Sequence, residues 1–200
     1  MPLPSPKDVL ILNDELIDNY TGNGITPYGS VKIDENGIAS GFSNRNNYIL
    51  TSLNCLSLSD GFEFQVKAST AKTGSTFCMA DGDSYQTCLY IALNNQWTEV
   101  GSWYNGHWYG FYPTFSAIPE NKMHYFRYKY SNNTIYFKLL DEDMNVLSEQ
   151  SAPYTIYFRN RTFMFGNSTQ DDHQSPYTSI DLSETWFKDK DGNLISSWNI

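Results

Sequence analysis

Residues 62–68, Phe-Glu-Phe-Gln-Val-Lys-Ala, alternate strictly between apolar and polar side chains. Successive side chains of a β-strand point to opposite faces, so this pattern predicts a strand with one buried face. Residues 135–139, Ile-Tyr-Phe-Lys-Leu, repeat the pattern. Nowhere do apolar residues keep the spacing of an amphipathic helix for three turns. The sequence therefore predicts an all-β chain.

Turn-forming residues divide the chain into about a dozen short candidate strands, at the spacing typical of a β-sandwich or a barrel. The clearest hairpin pairs residues 30–33 with residues 38–42 around Asn36-Gly37, because Asn-Gly favours a tight turn between antiparallel strands. No internal repeat and no linker interrupts this pattern. We expect an extended, proline-rich arm over residues 1–8 and one two-sheet antiparallel sandwich over residues 9–200.

Charge and composition narrow the range of partners. The 200 residues include 22 acidic and 13 basic side chains, a net charge of −9, so binding to nucleic acid or to an anionic membrane surface is not expected. No apolar run approaches the roughly 18 residues that a membrane-spanning helix needs, so no membrane insertion is expected. Aromatic residues make up 16% of the chain, and their rings suit a pleated sheet better than a helix.

The chain has three cysteines, an odd number without metal-ligand spacing, so free and partly buried thiols are the default interpretation. Cys78 and Cys88 flank the turn signal at residues 81–84, Asp-Gly-Asp-Ser, and a disulfide across a hairpin is the alternative. The acidic loops at residues 81–84 and 171–173 could also supply oxygen ligands to calcium. Both are more simply explained as turns, as is the segment Asp-Lys-Asp-Gly-Asn at residues 189–193. No cofactor is expected, with calcium as the open alternative.

Three segments resemble those of a known family. Residues 59–67 form a polar turn and an alternating strand, residues 124–137 contain His-Tyr-Phe-Arg-Tyr-Lys-Tyr and Thr-Ile-Tyr-Phe, and residues 179–198 run from Ser-Ile-Asp-Leu to Trp198. Together they resemble the concanavalin A-like and laminin-G-like jelly rolls of bacteriophage tail and baseplate proteins. The resemblance implies two antiparallel sheets with a curved face or rim open to ligands. Such ligands are often carbohydrates or assembly partners, and the implied location is a virion or an extracellular surface.

Some jelly rolls of this class hydrolyse glycans, and the retaining enzymes need two carboxyl groups about 5–5.5 Å apart. Asp181 and Glu184 are the nearest candidates, but on a regular strand they would point to opposite faces. Residues 141–143, Asp-Glu-Asp, occupy a turn-like segment. The three histidines accompany neither a Gly-x-Ser-x-Gly nucleophile motif nor zinc-ligand spacing. We therefore expect no enzymatic activity.

Residues 103–112, Trp-Tyr-Asn-Gly-His-Trp-Tyr-Gly-Phe-Tyr, concentrate six aromatic side chains. Partly exposed rings give a binding site contact area at low entropic cost, and they can stack on the apolar faces of sugars. The alternative is that alternate rings point into the core, as half of a strand's side chains must. The candidate ligand-binding residues are Trp103, Tyr104, Asn105, His107, Trp108 and Tyr109, joined by Asp83 and Tyr85 if the preceding turn lies on the same rim.

The leading hypothesis is a non-catalytic, lectin-like domain of a phage virion or a cell surface that binds a host glycan as an adhesin or receptor-binding module. The first alternative is a structural domain that decorates a particle or holds subunits together. Such a domain would act as a homo-oligomer or by attachment to other virion proteins, with the aromatic segment buried at an interface. The second alternative is a glycoside hydrolase of the jelly-roll class.

Overall fold

The computed structural model describes residues 16–17, 24–44, 46–69, 76–81, 87–166 and 178–198. Within these ranges the chain forms strands and one short 3-10 helix, residues Cys55–Leu58, and no α-helix. The arm predicted at residues 1–8 lies outside the described residues. The strands are β1 (Leu16–Ile17), β2 (Gly24–Pro27), β3 (Lys32–Ile33), β4 (Ile38–Ser40), β5 (Ile49–Asn54), β6 (Phe62–Ser69), β7 (Phe77–Ala80), β8 (Tyr90–Leu93), β9 (Thr98–Tyr104), β10 (His107–Phe111), β11 (Met123–Ser131), β12 (Thr134–Leu140), β13 (Val146–Pro153), β14 (Thr162–Phe165), β15 (Ser179–Asp189) and β16 (Leu194–Ser197).

The strands form two antiparallel sheets. The first sheet has the order β1-β2-β5-β14-β7-β8-β9-β10, and the second has the order β13-β12-β11-β6-β15-β4-β3, with β16 paired to β15. Strands distant in sequence, such as β5 and β14, are neighbours, so the sheets are built by long connections as well as by hairpins. This arrangement confirms the predicted all-β, two-sheet antiparallel sandwich. The assignment of residues 9–200 to a single domain stays a prediction.

The local patterns read from the sequence lie where they were expected. In β6, Phe62, Phe64, Val66 and Ala68 are all buried. The predicted hairpin around Gly37 is formed by β3 and β4, and the Asp34 carboxylate accepts hydrogen bonds from two backbone N–H groups of its turn. Gly37 has a φ of 78°, a left-handed conformation that glycine adopts at little cost.

Aromatic side chains fill the space between the sheets. Phe64 of β6 stacks on Phe187 of β15 at a ring-centroid distance of 4.1 Å, and Phe163 of β14 in the first sheet packs edge-on against Phe187 at 5.2 Å. Such offset and edge-to-face contacts are the favoured geometries of aromatic pairs. One polar contact also crosses the core, a hydrogen bond between the hydroxyl groups of Thr98 and Tyr128. The core therefore fixes how the two sheets face each other.

The two outer faces of the sandwich, those turned away from the opposite sheet, hold the surfaces that bear on function. In the first sheet the side chains of Thr98 and Val100 point inward, so the side chains of Glu99 and Trp103 lie on the outer face, and Gly101 lies between them in the same row. Within the described part of the chain, no helix has the length and hydrophobicity to cross a lipid bilayer.

Candidate functional site

The aromatic segment at residues 103–112 is a hairpin at one edge of the first sheet. β9 and β10 are joined by Asn105 and Gly106, whose φ angles of 49° and 78° are both positive. Two positive φ angles define the tight type I′ turn whose twist matches that of paired strands, and Asn-Gly is its preferred sequence. The turn sets the register, so that Trp108 pairs with Trp103 and Tyr109 pairs with Ser102.

This register places Trp103 and Trp108 side by side on the outer face. Their rings lie 6.0 Å apart at an interplanar angle of 61°, and the Trp108 ring also meets the Tyr90 ring of β8 edge-on at 5.3 Å. Trp108 lies flat over Gly101, because a Cβ atom built on that glycine would be only 2.1 Å from Cζ2 of the indole. A glycine is therefore required beneath Trp108.

The indole N–H of Trp108 is held by two oxygen atoms. It donates to Oε1 of Glu99 at 2.8 Å and to the hydroxyl oxygen of Tyr112 at 2.9 Å. Glu99 is only 8% exposed, whereas Tyr112 is 53% exposed. Burial and a hydrogen bond to Glu99 raise the pKa of Tyr112 to about 12. We call Tyr90, Trp103, Trp108 and Tyr112, grouped around Glu99, the aromatic surface.

Small side chains of the neighbouring strands support the aromatic surface. Cys78, Ala80 and Ala92 are fully buried on the outer face of β7 and β8, and together with Tyr90 they form a second apolar cluster. Trp97 and Trp108 pack against this cluster. Because buried small residues let rings lie close to the backbone, the aromatic surface rests directly on the sheet.

The other predicted site residues of the hairpin lie on its opposite face. Tyr104 stacks on Tyr157 with a centroid distance of 3.6 Å, and Tyr109, which is 43% exposed, packs beside the same ring at 6.3 Å. His107 pairs with Tyr104 and is exposed, and Asn105 forms the turn itself. Strand alternation therefore divides the predicted site residues between two faces of the hairpin, and their role in ligand binding stays a prediction. The predicted Asp83 and Tyr85 lie outside the described residues.

Sequence reasoning missed Glu99 and two members of the aromatic surface, Tyr90 and Tyr112. Glu99 and Tyr90 lie in β9 and β8, and only the pairing of three strands brings them to Trp108. Tyr112 was part of the aromatic segment but was not singled out. The sequence does contain a signal for Tyr112, because Trp108, Gly110 and Tyr112 are spaced two residues apart and so lie on the same face of a strand.

The cysteines are not paired as the disulfide alternative proposed. All three are free and buried. Cys78 faces the aromatic surface, where its thiol lies 2.8 Å from the hydroxyl oxygen of Tyr90. The Cys88 thiol instead donates to the Asp81 carboxylate at 2.7 Å. The default interpretation of free thiols is confirmed, because these two side chains have different neighbours.

Cys55, Asp81 and Cys88 form a buried cluster whose side-chain donor atoms lie within 4.8 Å of one another. The hydrogen bond to Cys88 and burial raise the pKa of Cys55, and burial raises the pKa of Asp81. Two thiols and one carboxylate suit zinc better than calcium, but a closed structural zinc site has four ligands, and the described residues supply three. The calcium alternative at residues 81–84 stays a prediction; residues 82–86 and 171–173 lie outside the described residues.

Asp181 and Asp141, two of the acidic residues considered for catalysis, have structural partners, as does Asp189 of the turn at residues 189–193. Asp181 forms an ion pair with Lys67 at 2.9 Å and accepts hydrogen bonds from the backbone N–H and hydroxyl of Ser183. The carboxylates of Asp141 and Asp189 each accept hydrogen bonds within their own tight turns. The interpretation of residues 189–193 as a hairpin turn agrees with this geometry.

Comparison with known proteins finds solved structures that share the fold. No protein-family model and no curated protein matches the sequence. A structure of botulinum neurotoxin type C, from work on its interaction with two ganglioside molecules, is similar with a TM-score of 0.62 at 9% identity, over 94% of this chain and 47% of that chain. The binding domain of botulinum neurotoxin serotype D gives a TM-score of 0.61 at 10% identity, over 96% and 48%.

A third similar structure is the CBM2 module of the evolved Dit of Lactobacillus casei BL23 phage J-1. Its TM-score is 0.52 at 14% identity, over 81% of this chain and 80% of that chain. The chain spans about half the length of the two botulinum structures. At these identities the likeness shows a shared β-sandwich fold, and it does not confirm the concanavalin A-like family in particular.

Proposed function

We propose that this protein is a non-catalytic binding module that recognises a glycan through the aromatic surface. The observation that carries the proposal is the fixed position of Trp108. Its ring rests on Gly101, and its N–H group is held by Glu99 and Tyr112. A ring that is already ordered loses little conformational entropy when a ligand binds, so contact area is converted into affinity efficiently.

The chemistry of the aromatic surface suits a saccharide. Partly exposed indole and phenol rings present flat apolar faces for the C–H groups of a sugar ring. The Tyr112 hydroxyl lies among them and can exchange hydrogen bonds with sugar hydroxyl groups. Small-molecule binding sites are usually lined by apolar faces and a few oriented polar groups, as this surface is.

The comparisons support a role in recognition. One similar structure is concerned with ganglioside binding by a toxin, and another is a CBM2 module of a phage protein. They support a receptor-binding or adhesin domain on a virion or an extracellular surface. The ion pair that occupies Asp181 supports binding without covalent chemistry.

A glycan array tests the proposal with a matched pair of tyrosine variants. Tyr112→Ala removes a ring of the aromatic surface, whereas Tyr109→Ala removes a similarly exposed ring from the opposite face of the same hairpin. We expect the wild type to bind a subset of glycans and Tyr112→Ala to lose about tenfold or more in affinity, as expected for an aromatic side chain that dominates an interface. Tyr109→Ala should bind like the wild type. Equal losses in both variants, or no glycan bound by the wild type, would overturn the proposal.

One observation favours the structural alternative. β13 is an edge strand of the second sheet, and Val146 and Leu147 at its start are exposed, next to exposed Met144. Exposed apolar side chains on an unpaired edge are typical of association surfaces. Light scattering of the wild type and of a Val146→Lys, Leu147→Lys variant tests it. A wild-type oligomer that becomes monomeric in the variant supports assembly through β13, and a wild-type monomer counts against it.

A further inference from the structure

A pocket of about 260 Å³ lies on the outer face of the second sheet, on the opposite side of the sandwich from the aromatic surface. Side chains of five neighbouring strands line it. They include Arg127 of β11, Tyr136 of β12, Trp186 of β15 and two pairs of opposite charge. Pockets for drug-sized ligands measure about 300–1,000 Å³, so this one suits a smaller molecule, on the scale of one sugar ring.

Arg127 is held in position by a buried glutamine. Nε of Arg127 donates to Oε1 of Gln65 at 2.6 Å, and Nε2 of Gln65 donates to the backbone oxygen of Glu184 at 2.7 Å. Gln65 is only 2% exposed, and both ends of its amide are used. Among the described residues, the two terminal nitrogens of the guanidinium have no hydrogen-bond partner. Arg127 lines the pocket, and these two nitrogens are the donors that it retains for a ligand.

A bulge in β15 creates this arrangement. Asp181 pairs with Lys67 and Trp186 pairs with Gln65, so four residues of β15 lie opposite the single residue between those partners. The bulge turns the Glu184 carbonyl group toward Gln65 and places Trp186 in one cross-strand row with Gln65 and Arg127, with Gln65 in the middle. Bulges commonly re-aim side chains in this way at functional sites.

The charges in the pocket leave Arg127 uncompensated. Lys129 pairs with Glu63 at 2.9 Å, and Lys138 pairs with Glu149 at 3.2 Å. Each of these ion pairs is neutral. Arg127 is therefore the surplus cation among the residues that line the pocket, in a protein whose net charge is −9. A guanidinium presents parallel N–H donors that match the two oxygens of a carboxylate or a sulfate.

Two aromatic side chains accompany the cation. Tyr136 is 44% exposed, and Trp186 is partly buried with the Lys188 amine 4.4 Å from its ring centroid. Rings in a pocket provide a flat surface for a ligand ring, as argued for the aromatic surface. A ligand that uses all of these groups has one oxyanion and one ring with an apolar face.

We propose that this pocket binds an acidic saccharide unit, a sugar ring that bears a carboxylate or a sulfate, with the oxyanion on Arg127 and the ring against Trp186 and Tyr136. The site is separate from the aromatic surface and does not depend on the function proposed for it. Both sites together would make the module bivalent, with one ligand contact on each outer face.

Nuclear magnetic resonance of the ¹⁵N-labelled chain tests the proposal, with the indole N–H of Trp186 as the local probe, assigned through Trp186→Phe. The ligands are glucuronate, glucose 6-sulfate, glucose and acetate. We expect saturable shifts of the Trp186 signal with glucuronate or glucose 6-sulfate, and affinities about tenfold or more weaker for glucose, which lacks the anion, and for acetate, which lacks the ring. The stronger of the two acidic sugars identifies the preferred oxyanion.

Arg127→Gln should abolish the preference for the acidic sugars, and Arg127→Lys, which keeps the charge without the planar fork, should weaken it. Lys32→Gln, the same loss of charge at an exposed position on the edge strand β3, should bind like the wild type. Acidic sugars that bind no more tightly than glucose, or binding that survives in Arg127→Gln, would overturn the proposal. These shifts are measured without any ligand of the aromatic surface, so the two proposals can fail independently.

Discussion

The indole N–H of Trp108 donates a 2.8 Å hydrogen bond to the carboxylate of Glu99, a side chain that is 8% exposed on the adjacent strand. An acidic side chain on an outer face is normally solvated, and this one instead fixes the orientation of a tryptophan. The contact joins β9 to β10, and Tyr112 completes it at the end of β10. The orientation of the aromatic surface therefore depends on one buried acceptor.

Glu99→Leu should loosen Trp108 and destabilise the fold. The variant leaves the indole N–H without its acceptor on Glu99, so we expect a loss of about 1–3 kcal/mol in the free energy of unfolding. Glu99→Gln keeps an acceptor and should cost less. Urea denaturation gives the free energies, and near-ultraviolet circular dichroism follows the order of the tryptophan. If the leucine variant is as stable and as ordered as the wild type, the contact with Glu99 does not hold the ring.

Glu99→Gln should also lower the pKa of Tyr112 from about 12 toward the ordinary tyrosine value of 10.0. Burial, the first cause of the raised pKa, remains in the variant, but the negative charge of Glu99, which opposes ionisation of the phenol, is removed. Titration of ¹³C-labelled tyrosine by nuclear magnetic resonance measures the change, with Tyr112→Phe to assign the signal. An unchanged pKa in the glutamine variant would contradict the hydrogen bond between Tyr112 and Glu99.

Gly101→Ala should displace Trp108, because the new Cβ atom would lie 2.1 Å from the indole. Overpacking of this kind typically costs about 1–3 kcal/mol, and we also expect reduced glycan binding. Gly110→Ala is the matched comparison, since its Cβ atom would meet the outer end of the exposed Tyr112 ring at 2.6 Å. That ring can swing away, so the loss of stability should be smaller. Equal losses in the free energy of unfolding, measured by urea denaturation, would contradict the close contact between Trp108 and Gly101.

The hydrogen bond between Thr98 and Tyr128 predicts an asymmetry between its two partners. The Thr98 hydroxyl donates to the backbone oxygen of Ala92 at 2.7 Å, so Tyr128 must be the donor between the two hydroxyl groups. Tyr128→Phe removes one hydrogen bond and should cost about 0.5–1.5 kcal/mol. Thr98→Val leaves a buried phenol without its partner and removes the hydrogen bond to Ala92, so it should cost more, about 1–3 kcal/mol. Calorimetry of both variants tests the order, and the reverse order would contradict the assignment of donors.

Asp81→Asn should change the dependence of stability on pH. Burial raises the pKa of Asp81 above 3.8 in the folded chain, so the unfolded chain releases this proton first as the pH rises. The unfolded state then binds fewer protons, and the wild type loses stability between 3.8 and the raised folded pKa. The Asp81→Asn variant has no ionisable group at this position, so it does not lose stability for this reason. The stability of the variant relative to the wild type should therefore increase from about pH 4 to about pH 7.

Asp141→Asn provides the control with the opposite sign. Hydrogen bonds from Asn145 lower the pKa of Asp141, so its carboxylate contributes stability above the unfolded value of 3.8 and loses it as the pH falls. The relative stability of this variant should decrease as the pH rises. Parallel slopes for the two variants in urea denaturation at several pH values would contradict the assignment for Asp81.

The sequence by itself determined the fold class and the positions of several elements. Alternation in residues 62–68 predicted the strand β6 with its buried Phe64, and Asn36-Gly37 predicted the hairpin of β3 and β4. These features depend on the local geometry of the chain, because the side chains of a strand alternate whatever it pairs with. The concentration of aromatic side chains in residues 103–112 was likewise visible in the sequence alone.

Only the tertiary structure decided which side chains share a surface. Strand pairing brought Tyr90 and Glu99 to Trp108 and left Tyr104 and Tyr109 on the other face. A bulge in β15, which no sequence pattern predicted, placed Trp186 beside Gln65. The physical reason is that register and neighbours between strands distant in sequence follow from packing across the whole sandwich, where a shift of one residue moves a side chain to the opposite face.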